Sequence, residues 1–258
     1  MSKAIYVASS EPNSGKAVIT LGLMNILVGK IKKIAYFKPV IRENGGNHRD
    51  VNIETIIDHY GLNIAYEDAY AFTYREWLKY RSEGNNAFII DTIIAKYKKL
   101  EDAFDFVVVD GMDLEGEGAS FEFSSNVEIA KNLGIPIILI VKAEGYSSDE
   151  VTRNVLSTLQ TLADKEVGLV AVIANKTDPE KAEELKSLFT RLLPGDVLNS
   201  VIPLTRELKS PTMKEIVEAV DGKLLFGENY LSNRVDHFIV GAMQLRKCLL
   251  HLEENTLI

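Results

Sequence analysis

The sequence predicts an α/β protein: a parallel sheet flanked by helices on both faces, with a small α/β appendage at the C-terminal end. Three observations carry that prediction. Short apolar runs rich in β-branched residues lack the alternation of a half-exposed strand, as strands buried on both faces do. Longer segments with helical spacing lie between them, the alternation that gives a parallel sheet. Breakers stand where elements must change: Gly134-Ile135-Pro136 ends a helix and starts a strand, and Asp178-Pro179 offers a cap followed by proline at the first helical position.

In chain order the expected strands are residues 4–8, 34–37, 106–109, 135–141, 169–174 and 201–204. The expected helices are 18–28, 51–60, 89–100, 126–133, 148–162 and 180–192. Trp77 with Tyr74 and Tyr80 has helical spacing and reads as packing, and the acidic stretch 113–122 reads as a mobile surface loop. After about residue 205 the pattern changes. A short helix over 213–219, a turn at Asp221-Gly222, strands over 223–226 and 235–242, an apolar helix and a strand-like tail ending on Leu257-Ile258 follow. The expected organisation is a first domain over 1–205 and, over 206–258, the start of a second domain completed by further sequence.

Composition limits the function classes. The chain has 258 residues, and 29 Lys+Arg against 37 Asp+Glu gives 29 − 37 = −8, which argues against coating nucleic acid or an anionic membrane. Any phosphate ligand must be held locally. The single cysteine, Cys248, can form neither an internal disulfide nor a cysteine metal cluster, which favours a reducing, cytoplasmic compartment. No run approaches the roughly 20 apolar residues of a membrane span, and the start of the chain lacks a signal-peptide core. His59, His237 and His251 have no metal-ligand spacing.

The strongest chemical signal lies between the first strand and first helix. Ala8-Ser9-Ser10-Glu11-Pro12-Asn13-Ser14-Gly15-Lys16-Ala17 places successive backbone N–H groups, a helix N-terminus and one lysine at one spot, a phosphate cradle. Glu11, Asn13, Ser14, Gly15, Lys16 and Ala17 are its candidate nucleotide-binding residues. Against G-x-x-x-x-G-K-[ST], Ser10 replaces glycine and Ala17 replaces the hydroxyl residue that would hold Mg²⁺. The second signal is Asp110-Gly111 after an apolar strand, which delivers a carboxylate to the sheet edge where ligands of open α/β sheets sit. Asp110 is a candidate Mg²⁺ or water ligand, or a loop cap. Lys38-Pro39 ends the second strand, and the loop 43–50 follows with His48, Arg49 and Asp50. Lys38 is placed to hold an anionic substrate, and Asp50 to share a metal with Asp110. Asn175-Lys176-Thr177-Asp178 has the N-K-x-D form with which GTPases read a purine, and Asp178-Pro179 alternatively serves as a helix cap.

Glu11–Lys16, Lys38-Pro39, Asp110-Gly111 and Asn175 resemble, in order and spacing, the P-loop fold of dethiobiotin synthetase. A closer resemblance lies in residues 106–111, 126–131, 201–203, 211–216 and 240–243. These look like the dethiobiotin-synthetase-like N-terminal region of long-form phosphate acetyltransferases, which runs into a small DRTGG domain. That resemblance implies Lys16 as the phosphate lysine, Asp50 and Asp110 as metal ligands, Lys38 as the catalytic lysine near a substrate amine or carbamate, and Asn175 as a base contact. It also implies ATP or GTP with Mg²⁺ as cofactors, a C-terminal acetyltransferase domain as partner, and a homo-oligomer. Ala17, the shorter Asp110 and Met112-Asp113-Leu114-Glu115 in place of a Gly-rich segment depart from the pattern. The expectation is therefore a nucleotide-binding regulatory domain. The alternatives are an ATP-dependent ligase of the dethiobiotin synthetase type and an interaction module with a relic loop.

Overall fold

A computed structural model describes residues 3–42, 49–114, 119–205 and 210–258. The loop 43–48, with His48, residues 115–118 of the acidic stretch, and 206–209 at the expected domain junction lie outside the described residues. The chain divides into two compact units, residues 1–204 and 205–258.

The first unit runs β1 (Ala4–Ser9), α1 (Lys16–Val28), β2 (Ile34–Ile41), α2 (Val51–Tyr60), β3 (Tyr70–Thr73), α3 (Tyr74–Ser82), α4 (Asn86–Ala103), β4 (Phe106–Asp110), α5 (Ala119–Leu133), β5 (Ile137–Lys142), α6 (Ser148–Asp164), β6 (Leu169–Thr177), α7 (Ala182–Leu192) and β7 (Leu198–Pro203). The strands form one seven-stranded sheet in the order β3-β2-β4-β1-β5-β6-β7. Every pairing in it is parallel.

Why these runs are apolar throughout follows from the two cores. Along β1, Ala4, Tyr6 and Ala8 face a core with α3, α4, α5, α6 and α7, while Ile5 and Val7 face a second core with α1 and α2. With both faces covered, neither set of alternate positions can be polar. The caps fix where helices begin. Thr73 with Glu76 and Ser147 with Glu150 form capping boxes at α3 and α6, and Asp50 caps α2 by accepting from Asn52 N and Ile53 N at 3.0 and 3.2 Å.

Two elements escape the periodicity. Strand β3 is a four-residue edge strand with one buried residue, Phe72, and α3 is a polar helix that buries only Trp77. Trp77 does pack, its ring 5.5 Å from those of Tyr74 and Phe121. The acidic stretch is also different from a surface loop. Helix α5 begins at Ala119, and Glu122 in its first turn is buried, accepting from Arg42 and from the Tyr74 hydroxyl at 2.8 Å.

Because β1 lies between β4 and β5, the chain leaves β1 toward β2 on one side and crosses it from β4 to β5 on the other. The carboxyl ends of β1 and β4 thus flank the point where the winding reverses, the usual crevice of an open α/β sheet.

The second unit contains α8 (Met213–Ala219), β8 (His237–Phe238), α9 (Leu245–Cys248) and β9 (Thr256–Leu257). Thr212 and Glu215 box the start of α8, and β8 pairs with β9 in parallel. The expected strand 235–242 is reduced to β8, and 223–226 forms none: Leu225 and Phe226 are 73% and 89% exposed. Among the described residues no helix is long and apolar enough to cross a membrane.

Candidate nucleotide-binding site

The loop between β1 and α1 is set by backbone conformation and by clamps from β6. Gly15, the residue before α1, takes φ +80°, and Asn13 takes φ +55°. Asn175 Nδ2 donates to the Ser14 carbonyl at 2.8 Å, and Lys176 Nζ donates to the Asn13 carbonyl at 2.7 Å. A Cβ at Gly15 would stand 2.4 Å from Asn175 Nδ2, so only glycine permits this approach. The Glu11 carboxylate accepts a hydrogen bond from Tyr146, which together with burial and the Glu11 and Glu150 charges pushes the Tyr146 pKa up. Ala17 is exposed in the first turn of α1, whose N–H groups have no partners within the helix.

Beneath the loop lies a cluster of opposite charges. Lys16, 4% exposed, donates to the Asp110 carboxylate, to the Gly111 carbonyl at 2.8 Å, and stands 3.0 Å from Asp113 Oδ1. The second Asp110 oxygen accepts from the Tyr36 hydroxyl at 2.6 Å. Lys38, 1% exposed, donates to Asp50 Oδ2 at 2.9 Å and to Asp113 Oδ2 at 2.6 Å. The structure thus joins Lys16, Lys38, Asp50 and Asp110, and adds Tyr36 and Asp113.

Asn126 of α5 supports the segment that carries Asp113. Its Oδ1 accepts from Met112 N at 2.7 Å and from the Tyr6 hydroxyl at 2.8 Å, and its Nδ2 donates to the Met112 carbonyl at 3.1 Å. A Cβ at Gly111 would stand 2.8 Å from that Oδ1 and 3.0 Å from the Val7 carbonyl, which explains glycine after Asp110.

The electrostatics follow from this packing. Burial works against the Lys38 ammonium, but the Asp110, Asp113 and Asp50 carboxylates outweigh it and hold its pKa above the ordinary lysine value. Burial likewise favours neutral Asp113, but Lys16 and Lys38 outweigh it and hold that carboxyl well below the usual range. Burial first, then the Asp110 charge, raises the Tyr36 pKa, so its hydroxyl stays a donor.

A depressed Asp113 contributes stability that is complete above its unfolded pKa of about 3.9 and lost as pH falls through and below it. A raised Lys38 contributes stability that is complete below about 10.4 and lost as pH rises past it. Thermal denaturation against pH should therefore show a plateau bounded by these two limits. The acid limb should be shallower in Asp113→Asn; an identical acid limb would exclude Asp113 from the cluster.

Two adjoining clefts open here, sharing Ala17 and Asn52. One of about 300 Å³ is lined by the loop 9–17 with Asp113 and Leu114. The other, of about 200 Å³, runs along α1 past Val18, Leu21, Tyr36 and Ile56. As arranged, the residues do not fit Mg²⁺. Both Asp110 oxygens and both Asp50 oxygens already accept hydrogen bonds, and a dication at either carboxylate would stand against an ammonium group. Ala17 supplies no hydroxyl in exchange, and no group of three or more His, Cys, Asp or Glu suited to a metal occurs among the described residues. Asn175 spends its amide on the loop, and Asp178 accepts from Glu180 N at 3.1 Å as a cap.

Lys16, Lys38, Asp50 and Asp110 each carried a sequence signal. Tyr36 looked like one more apolar strand residue and Asp113 like a solvated acid; Asn126 was marked only as part of the 126–131 resemblance, and Asp113 only as part of the 112–115 departure from the family pattern.

A family model described as an AAA domain (AAA_26) matches residues 3–212, and one described as a DRTGG domain matches 215–258. A phosphate acetyltransferase of Nitratidesulfovibrio vulgaris is 34% identical over 262 residues, covering 100% of this chain and 37% of that protein. The chain therefore spans well under half the length of this relative. An ATP-dependent dethiobiotin synthetase of Clostridium kluyveri is 26% identical over 157 residues, covering 55% of this chain and 63% of that protein. A crystal structure of a putative plasmid partition protein from Borrelia burgdorferi, bound to AMPPNP, aligns with TM-score 0.48 and 14% identity over 90% of this chain and 94% of that one. The sequence matches bear out the resemblance drawn from the motifs.

Proposed function

We propose, because this chain belongs to the AAA domain family, that it binds a nucleotide through the loop 9–17 and acts as a regulatory region of a phosphate acetyltransferase. The observation that carries the reading is Lys16: a buried ammonium at the head of α1, beneath a loop held open by Gly15 and clamped by Asn175. Backbone N–H groups, a helix terminus and one lysine hold phosphate without help from the net charge of −8. Binding in preference to turnover is supported by Ala17 and by the prior pairing of Asp50 and Asp110 with lysines. Acetyl transfer between acetyl-CoA and phosphate is assigned to a further domain, in keeping with a chain that spans 37% of its phosphate acetyltransferase relative. The nucleotide, ATP or GTP, biases that domain by stabilising one arrangement of the cleft.

Calorimetric titration of ATP, GTP and ADP, each with and without Mg²⁺, tests the reading. At least one should bind, and Lys16→Ala should weaken it by about tenfold or more, the effect of losing a charged hydrogen bond. Circular dichroism checks that the variant is folded. No heat with any nucleotide would overturn the reading.

A further inference from the structure

We propose that Asp113 is a built-in occupant of an oxyanion subsite between Lys16 and Lys38, and that a phosphate-type ligand enters the cleft by exchange against this carboxylate. The proposal rests on the nucleotide reading above and names how that site is regulated.

Asp113 holds one oxygen to each lysine, at 3.0 and 2.6 Å, the way a phosphate would divide two of its oxygens between two ammonium groups. It is also the dispensable member of the cluster. Without it Lys16 keeps Asp110 and the Gly111 carbonyl, and Lys38 keeps Asp50. The charge of the two lysines and three aspartates is 2 − 3 = −1 with Asp113 and 2 − 2 = 0 without it. Departure of Asp113 therefore leaves neither an unpaired buried lysine nor a net charge.

The other two carboxylates are not free to leave. Asp110 is fully buried and tied to Tyr36, and Asp50 caps α2. The Asp113 side chain is 33% exposed and faces the cleft beside the loop 9–17. Asn126 grips both the N–H and the carbonyl of Met112, so the backbone is anchored one residue before Asp113 and can pivot there.

Coexistence is excluded by charge: an anionic phosphate set between the same two lysines would touch the Asp113 carboxylate, and like charges in a partly buried site repel strongly. Protonation does not remove the competitor, because the two ammonium groups hold Asp113 ionised at neutral pH. Ligand binding is then obliged to release Asp113, which turns occupancy of the cleft into a displacement of the Asp113 side chain from the two lysines.

The test titrates inorganic phosphate, pyrophosphate and ATP, without Mg²⁺, into the wild type, Asp113→Asn and Asp113→Ala. Asp196→Asn, an exposed acid before β7, controls for one unit of net charge. Both Asp113 variants should bind pyrophosphate and ATP at least about tenfold more tightly than wild type, equivalent to about 1.4 kcal/mol, and Asp196→Asn should not. Equal affinity of wild type and both Asp113 variants for all three anions overturns the proposal. If ATP binds every protein equally, the nucleotide reading stands and the exchange fails. If pyrophosphate gains and ATP binds none of them, the exchange stands and the nucleotide reading fails. Gain with inorganic phosphate alone identifies the ligand as the free ion.

Discussion

Replacing Lys38 by methionine should destabilise the protein by about 3–5 kcal/mol, the cost of stranding a buried charge. Methionine keeps most of the aliphatic volume in β2, so the loss is electrostatic and not a packing cavity. Asp110 and Asp113 would then share Lys16 alone, and Asp50 would be left with only the N–H groups that it caps. For a unit of about 200 residues this corresponds to a fall in melting temperature of about 10 °C. Adding Asp50→Asn should recover part of it, because asparagine still caps α2 and no longer carries the stranded charge. A double-mutant cycle by thermal denaturation measures the coupling. Additive effects of the two substitutions would show that Lys38 and Asp50 do not act as a pair.

Gly15→Ala should abolish nucleotide binding while leaving the sheet folded. A left-handed backbone costs a non-glycine residue about 1–2 kcal/mol, and the new Cβ would stand 2.4 Å from Asn175 Nδ2. The loop can relieve that contact only by breaking the Asn175 to Ser14 hydrogen bond, which moves the carbonyls and N–H groups that form the cradle. A loss of about 100-fold or more in nucleotide affinity, with unchanged far-ultraviolet circular dichroism, is expected when one bond of this kind and the loop geometry go together. Wild-type affinity in this variant would mean that the ligand does not use the loop.

The central strands were legible for one reason: they are buried on both sides. Strands β1, β2, β4 and β5 announce themselves because sheet burial forbids polar residues at either set of alternate positions. Strand β3 has an open edge and four residues, and α3 buries a single side chain, so neither imposes a pattern on the sequence. The expected strand at 223–226 shows that apolar residues alone do not make a strand: the segment joins no sheet, and Leu225 and Phe226 stay exposed.

In the candidate site, Lys16 and Asp110 were legible as motif residues, one at the head of α1 and the other at the end of β4. Their pairing was not, because 94 residues separate them and contact depends on β4 lying beside β1. Asp113 and Glu122 illustrate the same limit. In sequence both belong to an acidic stretch, the composition of a solvated loop. Their partners come from distant strands and helices: Lys16 and Lys38 for Asp113, Arg42 and Tyr74 for Glu122. A carboxylate's environment is set by which cation the topology brings to it, and local composition carries no record of that.

Helix α5 places Glu122 and Asn126 one turn apart on the same side, so a single rigid element grips both Arg42 with Tyr74 and the backbone at Met112. Phe121 on the same turn packs against Trp77, the chain's only tryptophan. The floor of the cleft and this indole therefore share one mechanical part. A shift of α5 large enough to move Met112 would be felt at Trp77 as well, so the fluorescence of this indole would serve as an optical gauge of the candidate cleft.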